Sequence, residues 1–278
     1  MPSPIPTVDD KRRGFRRLHE HGCFVIPNPW DVGSALALQS LGFPALATTS
    51  SGFAWSQGRA DGGMSRDQVL EHLRTLVAAT RVPVNADFES GYATTAAGVA
   101  ANVRLAIDSG IAGLSIEDAS GIAAEPLYPL DVAVGRLQAA RQAIDRAGAD
   151  VLLVGRSEGF IRGRPDLEET IKRLRAYASA GADCLYAPGI RTREQIAAVV
   201  EAVAPKPVNV LIGGASDFSV PDLAALGVRR ISVGGALARA AWTGFLTAAR
   251  RIAAEGRFDA LAAATPHAEL DALFSDAP

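Results

Sequence analysis

Ser109-Gly110-Ile111-Ala112-Gly113-Leu114-Ser115-Ile116-Glu117 decides the fold. An Ala-rich amphipathic segment runs into it, Gly110 ends that segment, and a short apolar run then closes on a carboxylate. Helix, glycine stop, buried strand and polar strand end form one βα repeat. Working outward, the same run recurs at Cys23–Ile26, Ala45–Thr49 and Val84–Asp87 upstream. Downstream it recurs at Val151–Arg156, Cys184–Ala187, Pro207–Ile212 and Arg230–Val233. Amphipathic segments separate these runs, with Gly148, Gly181 and Gly227 placed like Gly110 at expected helix ends. Ser65 with Gln68, and Asp166 with Glu169, carry the spacing of reciprocal helix caps. Apolar strands alternating with helices make a parallel sheet covered by helices. Eight such units predict an α/β protein, a (β/α)8 TIM-type barrel, which takes about 250 residues. A doubly wound open sheet would call for a GxGxxG after an early strand, and the chain has none.

The 278 residues are expected to form a single domain, 1–278, with no linker or low-complexity tract. An extra helix is expected near Asp9–Glu20 and an amphipathic helical tail over about 257–278, near Phe258–Phe274. Hydrophobic residues make up 48% and charged residues 21%, enough apolar material for a large core. A formal net charge of −2 gives no reason to expect nucleic acid or an anionic membrane as partner. No apolar stretch is long enough to span a bilayer, and the first residues lack the apolar core of a signal peptide. Cys23 and Cys184 are too few for a disulfide framework. The chain reads as a cytoplasmic protein with free thiols.

In such a barrel the chemistry lies at the C-terminal ends of the strands. There the chain places Thr48–Gly52, Asn85–Tyr92, Glu117-Asp118 and Gly155–Glu158, with Asn209 in the seventh strand. Asp87 and Glu89 are two apart, so on a strand both would point the same way. With Glu117 and the loop residue Asp61 they would repel one another unless a cation were shared. Oxygen-only ligation suits Mg²⁺. The alternative is that Asp87 and Glu89 pair with rim arginines, Arg59 or Arg156. Arg156 suits a bidentate grip on a carboxylate or developing oxyanion, or else a structural ion pair with Glu158 or Glu117. Ser51-Gly52 offers backbone N–H groups to an anion, or is an ordinary turn. Gly213-Gly214 and Gly234-Gly235 stand where many barrels hold phosphate, although glycine pairs there also permit close packing.

Together TTSSGF at 48–53, NADFESGY at 85–92, SIED at 115–118, VGRSE at 154–158 and PVNV at 207–210 resemble the isocitrate lyase/phosphoenolpyruvate mutase superfamily. The resemblance runs from about Pro27 to about Gly244. It implies a barrel whose last helix is exchanged between subunits of a homodimer or homotetramer. It also implies Mg²⁺, with Mn²⁺ as a substitute, and a 2-oxo acid or its enolate as the chemical unit. On this resemblance Asp87 would hold the metal directly, and Asp61, Glu89 and Glu117 would hold its waters. Glu89 stands where aspartate is more frequent. Ser51, Gly52 and Phe53 would hold the substrate carboxylate, Arg156 its oxygens, and Asn209 would help to bind it.

The chain also departs from that family. Its lyases carry a Lys-(Lys/Arg)-Cys-Gly-His segment after the fourth strand, and residues 118–128 here contain no Lys, Cys or His. The enolate-stabilising half of a site is therefore legible and the acid/base half is not. Replacements to consider are Tyr92, Ser120, Glu125 and Tyr128. Three functions follow. The first is a Mg²⁺-dependent carbon–carbon lyase acting on a small 2-oxo or 2-hydroxy di- or tricarboxylic acid, like an oxaloacetate decarboxylase or an isocitrate or methylisocitrate lyase. The second is a phosphonopyruvate-type mutase or hydrolase. The third is a 2-oxo acid binding protein with little catalysis.

Overall fold

The computed structural model describes residues 6–275. Among the described residues ten strands are formed, β1 (Phe24–Ile26), β2 (Leu46–Ala47), β3 (Val84–Asp87), β4 (Gly113–Glu117) and β5 (Ala119–Ile122), then β6 (Glu125–Leu127), β7 (Leu152–Arg156), β8 (Cys184–Tyr186), β9 (Val208–Leu211) and β10 (Arg230–Ser232). Eight of them pair in parallel in the order β1-β10-β9-β8-β7-β4-β3-β2. Where β2 and β1 meet, Ala47 N–H donates to Pro27 O at 3.0 Å and Asn28 Nδ2 to Thr48 O at 3.0 Å. The sheet thus curls into a (β/α)8 barrel, as the sequence predicts. β5 and β6 form a separate antiparallel hairpin within residues 118–128.

Local chemistry sets the boundaries. Ser65 and Gln68 make the reciprocal cap on the helix Arg66–Ala79. Asp166 accepts from Glu169 N–H, but the Glu169 side chain turns to Arg173 Nε at 2.9 Å, so only half of that box forms. The four helix-ending glycines adopt positive φ, from 61° at Gly148 to 101° at Gly181. Outward strand residues such as Ala86, Leu114, Ile116 and Leu185 bury against the helices in one core.

The first helix, Val8–Leu18, closes the bottom of the barrel. Phe15 is fully buried there among Phe24, Ala45, Ala112 and Leu152, residues at or beside the N-terminal strand ends. A Cβ at Gly113 would stand 2.7 Å from Phe15 Cε1, so only glycine admits the plug at this point.

The C-terminal tail is helical, as expected, but in two pieces. A 3₁₀ turn spans Asp259–Ala263, and the helix His267–Phe274 packs against the helix Val32–Ser40 of the same chain. Thr265 and Pro266 interrupt it, since proline has no N–H to continue the ladder. Residues 276–278 lie outside the described residues. The last barrel helix, Ala236–Glu255, buries only Ala238. Among the described residues no helix is long and apolar enough to cross a membrane.

Candidate active site

One polar cavity of about 160 Å³ opens at the C-terminal strand ends. That volume suits a small acid and is below the usual range for drug-sized ligands. Asp87, at the end of β3, is fixed in its wall from two sides. Its Oδ2 accepts from Ser50 N–H and its Oδ1 from Arg156 Nη1, both at 3.1 Å. Its own N–H donates to Thr48 Oγ1 at 2.9 Å.

Arg156 gathers three carboxylates. Nε donates to Glu158 Oε1 at 2.6 Å, and Nη1 also stands 3.4 Å from Glu117 Oε2. Burial works against the guanidinium charge, but Glu158 and Glu117, with Asp87 behind them, outweigh it and hold its pKa well above the ordinary range. Burial likewise pushes the Glu117 carboxyl well up, against the pull of Arg156. The ion pairs foreseen as an alternative role for Arg156 therefore exist, and the same side chain still lines the cavity beside Asp87.

Glu89 reaches the site differently from the sequence argument. β3 ends at Asp87, so strand alternation does not apply to it. Glu89 and Tyr92 instead take left-handed backbone conformations, φ 45° and 52°, which non-glycine residues adopt at a cost in strain. Tyr92 OH donates to Glu89 Oε1 at 2.6 Å. Burial raises the Glu89 carboxyl, with the Tyr92 hydrogen bond opposing and Asp87 and Asp61 adding to the rise. Burial and Glu89 raise the Tyr92 phenol in turn.

The donor set fits Mg²⁺. Asp87 and the exposed loop residue Asp61 face the same cavity, with Glu89 and Glu117 flanking Asp87. Among the described residues no three His, Cys, Asp or Glu side chains cluster closely enough for an all-protein cage. Mg²⁺ is usually held by one or two carboxylates, its remaining positions taken by water and substrate.

The other expected residues divide. Ser51 lines the cavity, its Oγ 3.1 Å from Thr49 Oγ1. Gly52 lies behind it, where a Cβ would meet Thr49 Cγ2 at 2.6 Å. Phe53 stacks on His72 with ring centroids 3.8 Å apart, and neither Gly52 nor Phe53 lines the cavity. Asn209 lines it deeper down, donating to Ser232 Oγ at 3.0 Å. Ser120 is tied to the exposed hairpin by Glu125 O, Glu125 is itself exposed, and Tyr128 lies beneath the Arg136 guanidinium at 4.4 Å. Asp118 leaves the site for a buried network with Tyr177 OH at 2.6 Å and Arg173 Nη1 at 3.2 Å. Asn28 Oδ1 takes the N–H groups of Val233 and Gly234 at 2.9 and 2.8 Å, donors a phosphate there would need.

The cavity residues Tyr186, Arg230 and Ser232 lie outside the quoted motifs. Strand alternation could have found them, since Tyr186 and Cys184, Asn209 and Leu211, and Arg230 and Ser232 each share a face. Tyr186 lies below Arg156, whose Cζ is 5.1 Å from the ring centroid. Burial pushes its phenol up to about 12, with Arg156 opposing.

The family model for phosphoenolpyruvate phosphomutase matches residues 15–253. The chain belongs to the phosphoenolpyruvate phosphomutase family. It is thus an enzyme of the phosphoenolpyruvate mutase/isocitrate lyase superfamily of lyases and mutases. A Burkholderia cenocepacia protein assigned provisionally to the lyases and mutases superposes with a TM-score of 0.94 and 47% identity, over 96% of this chain and 97% of that one. Oxaloacetate acetylhydrolase bound to its product oxalate gives 0.85 at 27% identity, over 96% and 94%. An oxaloacetate decarboxylase of Bradyrhizobium diazoefficiens is 30% identical over 77% of this chain and 74% of its own. Among members of the phosphoenolpyruvate phosphomutase family, this chain lacks the Lys, Cys and His of the lyase loop within residues 118–128.

Proposed function

We propose that this enzyme is a Mg²⁺-dependent carbon–carbon lyase acting on a small 2-oxo or 2-hydroxy dicarboxylic or tricarboxylic acid through an enolate. The observation that carries the reading is the fixed pair of Asp87 and Arg156 facing Ser51 across one small polar cavity. Asp87 would hold the metal, with Asp61, Glu89 and Glu117 orienting its waters, and Mn²⁺ would serve in place of Mg²⁺. When bound, the metal would offset the negative charge that develops on the 2-oxo oxygen. Arg156, kept protonated and immobile by its acids, presents a preorganised cation to the same oxygen. Ser51 takes the adjacent carboxylate.

Tyr186 supplies the proton that the enolate carbon needs. It is a phenol in the cavity wall and stays protonated up to about 12, so it donates and does not abstract. The relatives named as oxaloacetate decarboxylase and acetylhydrolase support a small 2-oxo acid substrate. The long helix Ala236–Glu255, exposed along most of its length, fits exchange between subunits of a homodimer or homotetramer.

Proton and phosphorus NMR of the purified protein tests the reading. Oxaloacetate, isocitrate, 2-methylisocitrate and phosphonopyruvate are each incubated with Mg²⁺ and with EDTA. A carbon–carbon cleavage product that appears only with metal is expected, and Mn²⁺ should restore it after EDTA. Orthophosphate from phosphonopyruvate would overturn the lyase reading in favour of phosphorus–carbon chemistry. Metal-dependent oxalate binding without turnover of any acid would make the chain a binding protein.

A further inference from the structure

The floor of the cavity carries a charge that the rim chemistry does not use. Arg230, on β10, is 3% exposed and lines the same cavity as Asp87, Arg156 and Ser51. Its Nε donates to Asn209 Oδ1 at 2.8 Å, and its Nη1 to Asn85 Oδ1 at 3.4 Å. Both partners are neutral amides. Among the described residues no carboxylate forms an ion pair with Arg230, whereas Arg156 above it has three.

Among the described residues, neither His19 nor Cys184 beneath it supplies a counter-charge. His19 is neutral, since burial and then Arg230 hold its pKa near 3, and burial keeps the Cys184 thiol protonated. A guanidinium cannot shed its proton. A buried charge needs a partner, and two amide oxygens orient this one without neutralising it. Asn85 stands two residues below Asp87 on one face of β3, about 6.6 Å along the strand. That is the reach of a short carbon chain with a carboxylate at each end.

We infer that Arg230 is the specificity-determining residue, and that it receives a second carboxylate of the substrate at the cavity floor. The inference rests on the lyase reading and narrows it. A monocarboxylate leaves the guanidinium unmatched, and such sites reject an analogue lacking the required group strongly.

The test compares two probes that differ only at the far end, 3,3-difluorooxaloacetate and 3,3-difluoro-2-oxobutyrate. Binding to the full chain is measured by calorimetry at fixed Mg²⁺. The wild type should prefer the diacid by about 100-fold or more. Arg230→Met should lose that preference and leave the monoacid affinity unchanged. Arg230→Lys should keep part of the preference, and it serves if the methionine variant does not fold, as judged by circular dichroism. Equal affinities in the wild type, or an undiminished preference in folded Arg230→Met, would overturn the inference. Monoacid binding without preference rejects Arg230 alone, while failure of both probes to bind the wild type removes the lyase reading with it.

Discussion

Arg156 Nη1 and Asp87 Oδ1 stand 3.1 Å apart, and the same guanidinium reaches Glu158 at 2.6 Å through Nε. One cation therefore anchors a cavity carboxylate to a wholly buried one. Asp87→Asn should keep the fold and lower kcat about 10²–10³-fold. Arg156→Ala should be less forgiving, costing about 3–5 kcal/mol because it leaves Glu158 and Glu117 buried without their cation. Steady-state rates with the NMR-identified substrate, and urea melts of both variants, check the pair.

Tyr186→Phe should separate binding from turnover. Removing a general acid lowers rate about 10²–10⁴-fold, whereas the ring that packs under Arg156 is kept. Calorimetric oxalate affinity should stay near wild type while kcat falls. A kcat at wild-type level would assign the proton to another group.

Acid should weaken the fold through two histidines. Burial, aided by Arg230, lowers His19 from 6.5 to about 3, and burial lowers His72 from 6.5 to about 4 despite Asp31. Both are thus neutral in the folded chain and protonate in the unfolded one between these values and 6.5. Their contribution is fully present above about pH 6.5 and is lost as pH falls through that window. Each costs about 2 kcal/mol by pH 5. Urea midpoints between pH 7 and 5 should fall in the wild type and flatten in His19→Phe/His72→Phe.

The exposed face of Ala236–Glu255 should govern assembly. Trp242 is 38% and Phe245 60% exposed, and the two rings meet edge to face at 5.5 Å. Light scattering of the wild type should give the mass of a dimer or tetramer. Trp242→Ser/Phe245→Ser should reduce it, and an unchanged mass would place the interface elsewhere.

The barrel was legible because each strand is an apolar run, and glycines mark the helix ends that lead into several of them. The hairpin Ala119–Leu127 was not, since Ser120-Gly121 and Ala123-Ala124 carry no alternation and Gly121 turns at φ 76°. At the rim, the charges at Asp87, Glu117 and Arg156 announced themselves by interrupting apolar strands. Glu89 was found for an inapplicable reason, because its left-handed turn has no signature in residue spacing. Arg230 hid in a pair of arginines at the start of a strand, where only its facing partner Asn209 reveals that it turns inward.

Phe15 makes the barrel a blind well with one mouth. Whatever enters last leaves first, so a substrate lying lengthwise imposes a queue on its fragments. The piece released at the rim departs ahead of the piece held over Arg230. In reverse, the deeper fragment alone should bind the free enzyme without waiting for its partner, and as a product it should compete directly with substrate. The rim fragment should compete only in part.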